Sequence, residues 1–264
     1  MTRRRVLRRV GAATSRPSVP DGSAFPLLAL VAAFCIGMSK AGFSGISLIS
    51  VFLMADLYGA KNSVGITLPL LIVADLTVYP AFLKHGSWKP VWKLLPATLV
   101  GLAVGWWLLD AISDGLARQS IGVCILAMVG LQALRSWKPV LTDRLAASRA
   151  FGTSAGVTGG VTTMLANAAG PVIQLYLLSR RLPKMELIGI GARFFLLVNL
   201  LKLPLTHQLD LITRESLIEN AKCLPAVFGG VFAGKWLIQR VSQRIFEWMI
   251  VVFSILAAGR LLLT

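Results

Sequence analysis

The chain has 264 residues, of which 56% are hydrophobic and only 14% are charged. Soluble domains contain about 25% charged residues, so this composition and a mean hydropathy of +0.74 exclude an ordinary soluble domain and indicate a lipid bilayer as solvent. The formal net charge of +16 does not indicate nucleic-acid binding, because the Lys and Arg residues lie mostly in an amino-terminal tail and in short loops between apolar segments.

The amino-terminal tail, residues 1–24, is rich in Arg and lacks the contiguous apolar run of a cleavable signal peptide. We expect it to be disordered and cytoplasmic, since positively charged flanks stay on the cytoplasmic side. The protein should then be a multi-pass protein of the bacterial inner (plasma) membrane with its amino terminus in the cytoplasm.

The remaining apolar runs predict an all-α integral membrane protein with about seven or eight transmembrane helices, because a helix satisfies every backbone polar group within the bilayer. The runs, in chain order, are Phe25–Leu57, Val64–Leu83, Leu94–Leu109, Ser120–Leu134, Ala150–Leu178, Leu187–Thr206, Leu217–Ile238 and Ile245–Leu263. We divide them into a first membrane repeat over 25–135, a cytoplasmic linker over 136–149 and a second membrane repeat over 150–264.

An internal duplication underlies this division. The motif Leu95-Pro96-x4-Gly101-x3-Gly105 recurs with identical spacing as Leu224-Pro225-x4-Gly230-x3-Gly234. A second block, Gly65, Asp75 and Pro80, is matched by Gly189, Asn199 and Pro204. Pro and Gly at constant spacing are not expected by chance, so the halves are tandem repeats of about four segments each.

The first segment of each repeat is interrupted by small and polar residues. These are the stretches Gly37 to Gly45, and Gly156 to Gly160 followed by Leu165 to Pro171. Each segment is predicted to be a broken or re-entrant helix, and paired breaks in two halves point to a transporter binding site. If the interrupted segment of the second half is re-entrant, the basic loops of that half return to the cytoplasm, which favours an inverted-topology repeat.

Charged residues within membrane spans are costly and usually functional, which singles out Lys40, Asp75, Arg193 and Lys202. Lys40 and Arg193, with backbone amides freed at the glycine breaks, would form an anion site. The alternatives stay open: Lys40 could snorkel to the membrane surface, and Arg193 could cap carbonyls or pair with Asp75. Lys202 lies near a segment end and is expected to snorkel.

Asp75 is the candidate proton-coupling residue, because a buried carboxylate titrates closer to neutrality; a structural ion pair is the alternative. Asn167 is the best polar candidate of the second half, or else it satisfies the backbone of the broken helix. The predicted substrate-binding residues are Ser39, Lys40, Gly42, Ser44, Gly45, Asn167, Gly170, Pro171 and Arg193.

The two breaks and the repeated Leu-Pro-x4-Gly-x3-Gly motif together resemble the TauE/SafE sulfite exporter family, over nearly everything after Phe25. The resemblance implies transport of sulfite, of organosulfonates such as sulfoacetate, or of related sulfur oxyanions out of the cell, using the proton gradient. The first break departs from the family's run of consecutive glycines, having Lys40, Phe43 and Ser44. Lys40 and Ser44 could therefore replace part of the amide coordination.

Two rival functions stay open, and the first belongs to another class of protein. Gly42-Phe43-Ser44-Gly45 fits the Gly-x-Ser-Gly of rhomboid-like intramembrane serine proteases, but His85 and His207 both fall at segment ends. A carrier of another small anion or of a cation is the second, although cations would require more buried carboxylates than Asp75. We expect a transporter rather than an enzyme, with no cofactor, no metal and no nucleic-acid partner. Its partners would be the small anion, the bilayer and, as one alternative, a second copy in a homodimer.

Overall fold

The computed structural model describes residues 24–43, 46–138, 140, 148–178, 180 and 183–237. These residues form helices and connecting turns, with no strand among them. A 3-10 turn over Tyr79–Phe82 extends the third helix. The helices are α1 (Ala24–Lys40), α2 (Ser47–Tyr58), α3 (Ala60–Val78), α4 (Lys89–Ala111), α5 (Asp114–Trp137), α6 (Arg149–Ala166), α7 (Gly170–Leu178), α8 (Lys184–Gln208) and α9 (Arg214–Leu237).

Four of the described helical stretches are long and apolar enough to cross a membrane: Ala60–Phe82, Lys89–Ala111, Asp114–Leu131 and Met185–Gln208. Their outer faces carry exposed large apolar side chains such as Trp107 on α4 and Leu200 on α8. Such surfaces suit contact with lipid rather than water. The chain is therefore a multi-pass membrane protein, as its composition predicts.

In each half, the structure has two helices at the position of the single interrupted segment that the sequence predicts. In the first half α1 ends at Lys40 and α2 begins at Ser47. In the second half α6 ends at Ala166 and α7 begins at Gly170, with Asn167 in the left-handed region at φ 52°. The last predicted segment, Ile245–Leu263, lies outside the described residues.

The first copy of the glycine motif, on α4, packs against α6 of the second half. A Cβ atom added to Gly101 would lie 2.1 Å from the carbonyl oxygen of Val157 on α6. A Cβ atom added to Gly160 of α6 would lie 2.4 Å from the carbonyl oxygen of Thr98 on α4. The two backbones are therefore in direct contact, which only glycine at these positions permits.

The second copy of the motif, on α9, packs in the same way against α1 of the first half. A Cβ atom on Gly230 would lie 2.0 Å from the carbonyl oxygen of Phe34, and one on Gly37 would lie 2.1 Å from that of Val227. The first helix of each half is thus crossed by the motif helix of the other half. The two halves are interlocked rather than side by side.

Between these crossings α3 and α8 run antiparallel to each other. Gly65, early in α3, approaches Leu211 just after α8, while Gly189, early in α8, approaches His85 in the loop that follows α3. At the middle of the pair, Asp75 of α3 and Asn199 of α8 are joined by a hydrogen bond. The residues that match between the halves in the sequence, Asp75 and Asn199, are therefore in contact with each other.

Candidate functional site

The end of α1 places Lys40 against the last turn of α3. Its ammonium lies 2.9 Å from Oδ1 and 3.0 Å from Oδ2 of Asp75, so both carboxylate oxygens accept from it. The Lys40 side chain is 11% exposed, whereas that of Asp75 is 2% exposed. The ammonium also lies 4.7 Å from the ring centroid of Phe195 on α8, a cation–π distance. Lys40 therefore does not extend freely to the membrane surface but belongs to a buried ion pair.

Asp75 connects this ion pair to the second half of the protein. Asn199 donates from Nδ2 to Asp75 Oδ2 over 2.7 Å, and Asn199 is itself buried. A buried carboxylate is tolerated when an opposite charge and hydrogen bonds satisfy it. Lys40, Asp75 and Asn199 thus form a charge-neutral polar network, which we call the central triad, across the boundary between the halves.

The second break carries a separate polar cluster. Asn167 follows the last residue of α6, and its Nδ2 donates to the carbonyl oxygen of Val64 on α3 over 3.2 Å. Its Oδ1 accepts a short hydrogen bond from the ammonium of Lys202 on α8. Lys202 also donates to the carbonyl oxygen of Thr163 over 2.6 Å and approaches its hydroxyl at 3.4 Å. We call Thr163, Asn167 and Lys202 the second-break cluster.

The expectation that Lys202 snorkels to the surface is wrong. Its side chain is fully buried, because α8 continues to Gln208 and keeps this position inside the bundle. Lys202 is not among the predicted site residues, although a charge within an apolar stretch marks it in the sequence.

Arg193 lies apart from both clusters, beside the loop that follows α3. Its Nη1 donates to the carbonyl oxygens of His85 at 2.6 Å and Gly189 at 2.9 Å, and its Nη2 donates to that of Leu83 at 2.8 Å. Gly189 lets this loop approach α8 closely, since a Cβ there would lie 2.1 Å from the carbonyl oxygen of His85. These contacts match the alternative in which Arg193 caps backbone carbonyls. Among the described residues, no contact joins Arg193 to Lys40. Its role in substrate binding stays a prediction.

The other predicted binding residues lie around the two breaks. Ser39 donates from its hydroxyl to the carbonyl oxygen of Ile36 over 2.8 Å, within its own helix. Gly42 has φ 124°, a backbone conformation that favours glycine. Gly170 and Pro171 begin α7, where a Pro lacks only an N–H that the helix leaves unpaired. Ser44 and Gly45 lie outside the described residues.

Neither histidine belongs to the central triad or to the second-break cluster. His85 lies in the loop after α3, and His207 is exposed in the last turn of α8. Within the described ranges, no group of three or more His, Cys, Asp or Glu residues could hold a metal ion. The buried polar side chains of the described residues offer ammonium and guanidinium groups, one carboxylate, amides and hydroxyls.

A family model described as "Sulfite exporter TauE/SafE" matches residues 28–261, which is nearly the whole chain after the basic tail. No curated protein and no solved structure gives a significant match.

Proposed function

Because the chain belongs to the sulfite exporter TauE/SafE family, we propose that it is a secondary transporter, and not an enzyme, that moves a small sulfur oxyanion across the bacterial inner membrane. Membership implies an exporter-type transporter for sulfite or a related sulfur anion. The finer proposal is that the cargo is sulfite or an organosulfonate such as sulfoacetate, that its efflux is coupled to protons, and that Asp75 carries the proton.

The observation that carries this proposal is the central triad. Lys40 is an ammonium at the end of a broken helix, and such breaks line the substrate path in secondary transporters. Its charge is neutralised by both oxygens of Asp75. An anion can bind Lys40 strongly only when Asp75 no longer neutralises the charge of Lys40.

Protonation of Asp75 provides this release. A neutral carboxylic acid attracts an ammonium far less than a carboxylate does, so Lys40 becomes available to an anion when Asp75 binds a proton. Proton and anion then occupy the same state of the transporter together. Net flux follows the sum of the two gradients, so efflux requires an outward anion gradient that exceeds the inward proton gradient.

We also propose that the halves form an inverted-topology repeat. Asp75 and Asn199 occupy matching positions and touch each other, which supports a pseudo-two-fold axis between them. The antiparallel packing of α3 and α8 supports an axis across these helices and hence in the membrane plane. The crossing of α4 with α6 and that of α9 with α1 are exchanged by the same axis, which also supports the repeat. Such repeats allow alternating access around a fixed central site.

The positive-inside distribution of Lys and Arg supports a cytoplasmic amino terminus. Fusing a reporter that is active only in the cytoplasm to the amino terminus tests this orientation, since a signal there is expected and its absence would place the tail outside.

Flux measurements in proteoliposomes test the transport proposal. Purified protein is reconstituted and loaded with labelled sulfite, sulfate or sulfoacetate, and efflux is followed with and without a pH gradient. We expect flux of at least one sulfur oxyanion. Its efflux should be faster when the proton concentration is higher inside the vesicles, on the side that holds the anion. No flux of any of the three would refute the function.

The Asp75→Asn variant tests the proton role separately. Asparagine keeps the shape and an acceptor oxygen but cannot exchange a proton, so Lys40 is permanently without a carboxylate partner. We expect anion exchange between loaded vesicles and medium to continue while its response to the pH gradient disappears. An unchanged pH response in Asp75→Asn would exclude Asp75 as the coupling group while leaving transport itself intact.

A further inference from the structure

The second-break cluster contains a buried positive charge that no carboxylate neutralises within the described part of the chain. We propose that Lys202, held at the break between α6 and α7, is the cationic group of an anion-binding subsite in the second half. The inference rests on the proposed transport function and deepens it, since it names a residue that binds the sulfur oxyanion while the Lys40 charge is occupied by Asp75.

Burial disfavours the charged form of this group, whereas its hydrogen-bond acceptors favour that form. Lys202 is fully buried, and three oxygen atoms surround its nitrogen: the carbonyl and hydroxyl oxygens of Thr163 and Oδ1 of Asn167. An ammonium has three N–H donors and no acceptor. A set of acceptors of this kind suits the charged form.

The two lysines differ in what balances their charge. Lys40 contacts a carboxylate through both oxygens, so that pair is neutral. Lys202 contacts only neutral oxygens, and none of the three salt bridges found in the described residues includes it. A charge buried without an opposite charge is costly, and a bound anion removes that cost.

The end of α6 compensates Lys202 only in part. Thr163 lies in the last turn of α6 and Asn167 caps it, so the ammonium sits at the negative end of the helix dipole. That end corresponds to about half an elementary charge. The remaining positive charge attracts an anion, and the weakest of the three contacts, the 3.4 Å approach to the Thr163 hydroxyl, is the one that an oxyanion oxygen replaces most easily.

The favoured ligand is a small oxyanion with several acceptor oxygens. It accepts from Lys202 in place of the Thr163 hydroxyl, while Asn167 and the Thr163 carbonyl hold the ammonium in position. A bare halide offers a single acceptor centre and gains less from this directed arrangement. The subsite therefore selects for sulfite, sulfate or a sulfonate group.

A substitution that supplies Lys202 with its own carboxylate separates this proposal from a purely structural role. Asn167→Asp is nearly isosteric, and Asp tolerates the left-handed backbone at this position, although the variant loses the hydrogen bond that Asn167 Nδ2 donates to the Val64 carbonyl. The new carboxylate should pair with Lys202 as Asp75 pairs with Lys40. A lysine that only caps α6 would be held more firmly and would leave anion affinity unchanged.

The test measures labelled-sulfite exchange and the rise of the thermal unfolding midpoint with sulfite concentration, for the wild type and Asn167→Asp. Gln208→Glu, the same amide-to-carboxylate change at the exposed end of α8, is the matched control. We expect Asn167→Asp to keep its fold and to lose at least about tenfold in sulfite affinity, a loss of at least one buried charge-assisted contact. The control should retain wild-type affinity. Wild-type affinity in Asn167→Asp overturns the proposal.

Lys202→Met and Lys202→Arg give an independent arm that does not depend on the folding of Asn167→Asp. Sulfite affinity should be lost in Lys202→Met and partly retained in Lys202→Arg, because Arg preserves the charge. Wild-type affinity in a folded Lys202→Met protein overturns the subsite alone. If the wild type itself binds and exchanges none of sulfite, sulfate and sulfoacetate, the proposed function falls together with the subsite.

Discussion

The reciprocal glycine crossings make a sharp prediction about how the halves are held together. Replacing Gly101 or Gly230 by Ala puts a Cβ atom 2.1 Å or 2.0 Å from a backbone carbonyl oxygen of the crossing helix. A carbon–oxygen contact of normal length is about 3.4 Å, so the helices must separate by roughly 1.3 Å at the crossing. Backbone cannot rotate out of the way as a flexible side chain can.

The cost follows from how membrane helices associate. Lipid tails are as apolar as the helix surfaces, so close packing rather than the hydrophobic effect holds helices together. Forcing an extra carbon into a tight contact costs about 1–3 kcal/mol, and loss of neighbouring contacts along the crossing places these substitutions at the upper end of that range. Because the two crossings are equivalent in geometry, we expect similar losses for Gly101→Ala and Gly230→Ala.

Thermal unfolding of the purified protein in a mild detergent is the assay, with Gly115→Ala and Gly130→Ala as matched controls. Both control glycines lie in α5, and a Cβ atom there meets nothing within 4 Å. The helix propensity of Ala exceeds that of Gly by about 1 kcal/mol, so the controls should be neutral or stabilising. If the crossing variants unfold at the same temperature as the controls, the backbone contacts do not stabilise the protein and the reasoning is wrong.

Three further predictions concern the polar residues. Lys40→Met leaves Asp75 buried without its counter-ion and should destabilise the protein by about 3–5 kcal/mol, whereas the double variant Lys40→Met/Asp75→Asn should recover part of that loss in the same unfolding assay. Arg193→Gln removes the charged donor to the backbone carbonyls that Arg193 contacts, so we expect a lower unfolding temperature but unchanged sulfite affinity; lost affinity with normal stability would instead support Arg193 in the binding site. A fluorophosphonate probe should not label Ser44, because a serine nucleophile needs a histidine within hydrogen-bond reach, and one histidine lies in the loop after α3 while the other is exposed in the last turn of α8; labelling that Ser44→Ala abolishes would revive the protease alternative.

Local patterns in the sequence predicted which parts of the chain are helical. Apolar runs long enough to span the bilayer gave α3, α4, α5 and α8, with ends that differ from the predicted ones by up to about six residues. Glycine and small polar residues also marked the positions where the first segment of each half is divided. These features depend on neighbouring residues alone, since helix length and breaks follow from local hydrophobicity and backbone preference.

The partners of the buried polar residues could not be predicted in the same way. The sequence marks both Arg193 and Lys40 as candidate anion ligands. In the structure, Lys40 pairs with Asp75, whereas Arg193 donates hydrogen bonds to the loop after α3. Lys202 was expected at the surface because it lies near the end of an apolar run. Which charge meets which acceptor depends on residues far apart in the chain, such as Lys202 and Thr163.

The sequence by itself determined that this is a helical membrane protein and where two of its apolar segments are broken, because bilayer thickness and backbone hydrogen bonding restrict a chain of this composition to helices. Its repeated glycines also indicated close helix contacts, but not which helices meet. Only the tertiary structure decided that each motif helix crosses the broken segment of the other half. It alone brought Asp75 to Asn199 and left Lys202 without a carboxylate among the described residues, because long-range packing decides where a buried charge finds its partner.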